Sequence, residues 1–489
     1  MYFKNSTPEK AGIKSSNVKA FLKSLNNVGL AMHSVLLSRG DKLFCEAYWA
    51  PNKAEDNHRM YSETKSYVGI AVAQLAEEGL INLDDKIIDY FPEKLPAVVH
   101  PYLAAQTIRN MLNMQTCFTG DCWFKEHGGD RLKYYFSMEP KRYPGTTYFY
   151  DSTGSFVLGA LVEKVTGKTF IQYLREKCLN EIGWSDGARV LTAVGGYAWG
   201  DSALLCTSLD MLKFGRLVAN GGEWNGKQLL SKNAVAAATN THIYNKTFGM
   251  QFRKQGYGYQ IWGGPNGSFA FFGMHGQFTI YHPKTDILFV CTAGYPMEDI
   301  GQPELLFKLF FDEIVYKAEN GEIEDNSDYK ELSDYINSLE LLTVQGENYS
   351  EFAKKFNGRR FVAEENPMNI SEFTLTFNEN EGEFKYINAT GEKSIKFGMG
   401  KNLPQLFPET GYSKEIGGIG CEGHQYKCWT SAGWVEEDKL SILVQIIDDY
   451  IGILDITIGF NGDIAVIDMK KNAEYFLEEY NGYLTAKKA

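Results

Sequence analysis

No long stretch of this chain is basic. Lys and Arg number 49 against 61 Asp and Glu, a formal net charge of −12. The cations are not gathered into the stripe that a phosphate backbone attracts, which argues against nucleic acid as a partner. No apolar run approaches the ~20 residues that cross a bilayer. The opening MYFKNSTPEKAGIKSS lacks an apolar signal segment. These absences set the expectation of a cytoplasmic protein with no membrane partner. Cysteine is sparse and scattered, at positions 45, 117, 122, 178, 206, 291, 421 and 428, several of them in apolar runs such as LLC and FVC. Cys117 with Cys122, and Cys421 with Cys428, are spaced to pair or to hold a metal. Neither has a matching Cys/His pair at a zinc-site distance. Free thiols in a reducing compartment are expected, with no metal and no cofactor. Internal repeats and low-complexity segments are also absent.

What is present is an ordinary globular composition, 44% apolar and 22% charged over 489 residues. That length predicts roughly two to four domains of about 100–200 residues. Aromatics are plentiful, with 29 Tyr and 31 Phe, enough for deep cores and an aromatic-lined pocket. Helical spacing marks 15–30, with Val18, Phe21, Leu22 and Leu25 on one face. MHSVLLSRGDKLFCEAYW reads as a β-hairpin turning at Ser38–Asp41. Tyr67 to Glu78 is apolar nearly all round, the mark of a buried central helix. Helices are also expected at 154–167, from Ser208 and from Glu304, and strands from Thr279 with a turn at Pro283.

The polar, acidic NGEIEDNSDYKELSD from Asn320 reads as a linker. After it the texture changes to alternation, as in SEFTLTF with Phe373, Leu375 and Phe377, and a hairpin is expected at Asn461-Gly462. The predicted organisation is α+β: residues 1–318 as an antiparallel sheet flanked by helices, 319–349 as linker, and 350–489 as an antiparallel β-barrel or sandwich.

Within this frame YSETKSYVG, residues 61–69, places a lysine where a helix enters the interior. A buried lysine is costly unless it has a partner or a task. Residues i and i+3 share a helix face, so Lys65 would lie one turn below the Ser62 hydroxyl. Helix N-termini offer unpaired N–H groups and a positive partial charge, and a desolvated lysine can act as a base. The pattern suits a serine nucleophile, although a serine before a helix is more often only an N-cap. Two further segments supply company. PGTTYFYDSTGSFVLGALVEKVTG, residues 144–167, places Tyr150 in a loop with Ser152 two residues on. FFGMHGQFTIYHP, residues 271–283, sets Gly273 and Gly276 beside a strand whose N–H groups could receive an oxyanion.

Together these three segments resemble the penicillin-recognising serine hydrolases, the group of class C β-lactamases, D-Ala-D-Ala carboxypeptidases, family VIII esterases and nylon-oligomer hydrolases. STPEKAGI, GLINLDDKIIDYFPE, TIRNMLNMQT and SLDMLKFGRLVANGGEWNGKQLLS are similar to further blocks of that family, in order, over about residues 6–318. The resemblance implies a β-lactamase/transpeptidase-like domain with an all-helical subdomain. It implies Ser62 as the acylated nucleophile, Lys65 as its general base and Tyr150 as a proton relay. It also matches Gly276 to the glycine of the third motif and Gln277 to the residue whose backbone N–H pairs with that of Ser62. Ser152, His275 and Trp199 are candidate substrate-binding residues, and His282 reads as structural.

Two departures narrow the expectation. The second motif is Tyr150-Asp151-Ser152 where the family has Tyr-x-Asn, and Met274-His275-Gly276 stands where it has Lys-Thr/Ser-Gly. The missing lysine would receive a substrate carboxylate, which turns the reading from penicillin and D-Ala-D-Ala toward the esterase and nylon-oligomer branch. The expected activity is hydrolysis of a small ester or amide. A β-lactamase or carboxypeptidase, or a catalytically silent binding protein, are the alternatives, and a homo-oligomer is left open.

Overall fold

A computed structural model describes residues 2–120, 129–245, 255–295, 301–324, 328–411, 423–473 and 476–489. It divides into two compact units, one formed chiefly by Met1–Ala293 and Asp299–Glu340, the other chiefly by Leu341–Ile416 and Cys421–Ala489.

The first unit is built on a seven-stranded sheet. In chain order its strands are β1 (Lys4–Asn5), β2 (Met32–Arg39), β3 (Lys42–Tyr48), β4 (Trp262–Gly263), β5 (Phe269–Gly273), β6 (Gln277–His282) and β7 (Ile287–Ala293). In space they run β1-β3-β2-β7-β6-β5-β4. The expected hairpin joins β2 to β3, with Gly40 at φ 57° in the turn, a left-handed conformation that costs glycine nothing. β2 and β7, buried along almost their whole length, pair antiparallel from Arg39↔Ile287 to Met32↔Ala293. Neighbouring side chains of β7 serve opposite faces. Phe289 packs on Phe21 of helix α1 (Ser15–Asn27) and on Phe310 of helix Gly301–Phe310. Leu288 faces Gly215 on the other side.

The long segment between β3 and β4 supplies the helices that carry the site. α2 (Thr64–Glu77) is buried from Thr64 through Leu75, as an all-round apolar helix must be. A Cβ at its Gly69 would stand 2.2 Å from the Tyr259 carbonyl oxygen, so only glycine allows this approach. α3 (Ser152–Thr166) is capped by Asp151, whose carboxylate accepts from the Gly154 N–H, and ends at Gly167 with φ 70°. α4 (Ser208–Ala219) opens with a Thr207/Asp210 capping box. Residues 328–336, inside the stretch read as linker, form a helix in this same unit.

The second unit settles the choice between barrel and sandwich. Nine strands close on themselves through Arg360–Ala363, Glu372–Asn378, Glu381–Asn388, Gly391–Met399, Gln425–Glu436, Lys439–Ile447, Ile451–Asn461, Ile464–Ala473 and Gly482–Lys488. A further strand, Leu403–Thr410, pairs beside Gln425–Glu436. All neighbours are antiparallel except the closing pair, Gly398↔Ser431 and Met399↔Ala432, which is parallel. The hairpin at Asn461-Gly462 is present, with Gly462 at φ 62°.

Among the described residues no helix is long and apolar enough to cross a membrane, and no group of three His, Cys, Asp or Glu is placed to hold a metal. Cys45, Cys117, Cys178, Cys206, Cys291 and Cys428 are buried free thiols. Cys122 and Cys421, and so the two pairings considered from the sequence, lie outside the described residues.

Candidate active site

Ser62 sits in a single 3-10 turn, Tyr61–Glu63, that runs directly into α2. Its side chain is partly accessible while both neighbours are buried. Lys65, one turn on, is 1% exposed. Its Nζ lies 2.9 Å from Ser62 Oγ and donates to the Asp201 carbonyl oxygen at 2.7 Å. The same nitrogen stands over the Tyr150 ring, 5.1 Å from its centre. The three residues expected to act together are thus brought together, with the lysine held from below by a main-chain oxygen.

That main-chain oxygen is itself anchored. The Asp201 carboxylate receives two bonds from the Arg131 guanidinium, at 2.7 and 2.9 Å, and both side chains are buried. The guanidinium also lies over Phe156 of α3, 4.5 Å from the ring centre. A buried ion pair with good geometry holds its two segments in one register, because separating the charges in low dielectric is expensive. Here those segments are the loop that binds Lys65 and the helix Arg131–Ser137. Tyr150 is positioned from its other side by Trp262 of β4, whose ring stacks on it at 5.7 Å and 21°.

Asp151 occupies the variable middle position of the second motif. Its carboxylate caps α3 and accepts from Thr116 Oγ1 at 2.7 Å, so it is bound into the structure rather than turned to the site. Ser152 opens α3 and is 5% exposed.

The third motif forms the tight turn between β5 and β6, with His275 at φ 61° and Gly276 at φ 96°. Gly273, just before it, lets β5 meet the turn that carries Ser62: a Cβ there would lie 2.2 Å from the Met60 carbonyl oxygen. The His275 ring is buried and meets Tyr61 edge-on at 5.1 Å. Gln277 is fully buried and its side chain is spent on structure, donating to the Met274 and Ala293 carbonyls at 3.1 and 2.8 Å. Any role toward a substrate therefore falls to its backbone. His282 bonds Thr285 Oγ1 at 2.8 Å.

Trp199 is buried and faces Arg59, whose guanidinium is sandwiched between the Trp199 and Tyr61 rings, 4.8 Å from each centre. Arg59 Nε also donates to the Ser202 carbonyl at 3.0 Å. The tryptophan thus braces the turn that carries Ser62. Three further elements had no signal in the sequence. His33 and His58 meet through Nδ1 and Nε2 at 2.7 Å behind this turn. Burial pushes both below the usual histidine range, His58 to about 4, and the nearby His275 adds to it in both cases, as His58 does for His33. Glu63, fully buried, bonds Thr279. Arg131 and Asp201 are the third.

The arrangement sets a buried amine against the Ser62 hydroxyl and beside the Tyr150 ring. The beta-lactamase family profile matches residues 15–294. The 6-aminohexanoate-dimer hydrolase of Paenarthrobacter ureafaciens is 25% identical over 285 residues, which cover 54% of this chain and 73% of that protein. A candidate 6-aminohexanoate-dimer hydrolase from Bacillus anthracis shares the fold with a TM-score of 0.52 at 20% identity, over 63% of this chain and 86% of that one. EstCE1, a hydrolase with promiscuous acyltransferase activity, aligns with a TM-score of 0.50 at 15% identity, over 62% and 99%.

Proposed function

Because this chain belongs to the beta-lactamase family and is a serine hydrolase, we propose that it cleaves a small ester or amide through an acyl-enzyme on Ser62, with Lys65 and Tyr150 moving the protons. The observation that carries this reading is the 2.9 Å contact between buried Lys65 Nζ and Ser62 Oγ. When the amine is neutral, that contact passes the hydroxyl proton to nitrogen as Oγ attacks the carbonyl carbon. The bond to the leaving oxygen or nitrogen then breaks, and the proton reaches it by way of Tyr150. Water attacks the acyl-enzyme, its proton returns along the same path, and Ser62 is restored. The backbone N–H groups of Ser62 and Gln277 hold the oxyanion in both steps.

The third motif supports the ester-or-amide class. Met274 stands where a lysine would bind a substrate carboxylate, and His275 beside it is buried against Tyr61. The Paenarthrobacter relative is named for hydrolysis of a 6-aminohexanoate dimer, which is an amide of this size. The test is intact mass after exposure to a fluorophosphonate, followed by turnover of p-nitrophenyl esters, short amides and β-lactams, with Ser62→Ala as control. One adduct mapped to Ser62, with turnover of esters or amides that the variant lacks, is expected. Turnover of β-lactams alone would move the substrate class. No adduct and no turnover would leave a binding protein.

A further inference from the structure

We propose that Glu63 is a positioning residue: by bonding Thr279 it sets the spacing between the turn that carries Ser62 and the strand that begins at Gln277. The proposal rests on the reading of Ser62 as nucleophile and extends it to the residue beside it.

Successive residues on a 3-10 turn point about 120° apart. With Ser62 toward the site, Glu63 points into the protein, where it is 0% exposed. Its Oε1 accepts from Thr279 Oγ1 at 2.8 Å, and Oε2 is buried with no partner among the described residues. Thr279 lies on β6, two residues beyond Gln277. It is held from behind as well: a Cβ at Gly215 of α4 would stand 2.6 Å from the Thr279 methyl, so the missing side chain there lets the threonine sit against the helix. One bond therefore joins the two segments whose N–H groups must reach the same oxygen.

The chemistry of the group fits a tether better than a charge. Burial pushes the Glu63 carboxyl up to about 8, so near neutral pH it is mainly the uncharged acid. The titratable groups facing it are the Tyr67 hydroxyl on α2, the Cys206 thiol on strand Leu204–Cys206 and the Cys291 thiol on β7. Burial pushes each of them up as well, and Asp210 of α4 lies beyond Tyr67. A buried acid with an idle oxygen costs stability relative to a well-packed apolar residue, so core packing alone gives no reason for a carboxyl here. Spacing does, because oxyanion donors act only at about 2.7–3.1 Å from the developing charge.

The test compares wild type with Glu63→Gln, Glu63→Leu and Thr279→Val on a matched pair of substrates, a p-nitrophenyl ester and its thiono analogue. The larger, more weakly accepting sulfur is a poor fit to a well-spaced oxyanion site. Glu63→Gln keeps the bond and is expected to stay within about threefold of wild type. Glu63→Leu and Thr279→Val are expected to lose kcat by on the order of 10²-fold with little change in KM, and to lose the preference for the oxo ester. Fluorophosphonate labelling of Ser62 in every variant shows that the fold and the nucleophile survive. If Thr279→Val or a labelled Glu63→Leu keeps both kcat and the oxo preference, Glu63 is only filling space and the proposal is overturned. If wild type itself is not labelled, the serine-hydrolase assignment of Ser62 fails, a distinct result.

Discussion

Arg131 grips the Asp201 carboxylate with two bonds of 2.7 and 2.9 Å while the main-chain oxygen of the same aspartate receives Lys65. One residue thus links a buried ion pair to the proposed base.

Breaking that pair from one side leaves a buried charge alone. Arg131→Met is expected to lower stability by roughly 3–5 kcal/mol and to lower kcat as the Asp201 carbonyl drifts from Lys65. The double variant Arg131→Met/Asp201→Leu should recover stability, read by denaturant unfolding, without recovering the rate. Equal recovery of both would show that the pair serves folding only.

Lys65→Ala removes the proposed proton acceptor and leaves the hydroxyl in place. The rate of adduct formation at Ser62 should fall by about 10²–10⁴-fold. Stopped-flow acylation reports this directly, and an unchanged rate would assign the base elsewhere.

Glu63 also predicts a pH dependence of stability. Its folded-state value, about 8, lies above the ordinary 4.5, so the folded protein holds a proton that the unfolded chain releases between those values. Its contribution to stability is fully present below about pH 4.5 and is lost as pH rises through 8. Glu63→Gln should therefore gain on wild type from about pH 5 to about pH 8, by about 1.4 kcal/mol for each unit of pH well inside that window, and level off above it. Parallel melting curves across the range would refute it.

Gly273→Ala should be severe, because its methyl would meet the Met60 carbonyl at 2.2 Å. A loss of about 1–3 kcal/mol or more is expected from overpacking, with activity falling further than stability since the strand retreats from the nucleophile turn. Thermal melting and kcat/KM on one preparation would separate the two effects.

Much of the fold could be read from the sequence because it is written locally. The apolar run of α2, the alternation of 372–378 and the Asn461-Gly462 turn each carry their own period or turn chemistry. Ser62 and Lys65 were legible for the same reason, three residues apart on one helix. The bracing residues were not. Thr279 and Glu63 are 216 positions apart and Arg131 and Asp201 are 70, and no period connects such pairs. Trp199, which the sequence left open between a pocket aromatic and a core or surface one, is buried against Arg59. Glu63 stood in plain view within the motif, but its neighbours gave no sign that its carboxyl turns inward.

The pairing of β2 with β7 has a consequence for how the molecule is made. Residues 32–39 pair early with β3 on one edge but find their other partner only in 287–293, so the sheet stays open at its centre while the ribosome adds some 250 residues between them. α2 emerges early with apolar faces that have nothing yet to cover them. The nascent chain must hold that surface in a provisional collapse, or in the grip of a chaperone, until the last strand of the sheet arrives. Synthesis halted before residue 287 would leave the Ser62 motif translated but the sheet beneath it unfinished.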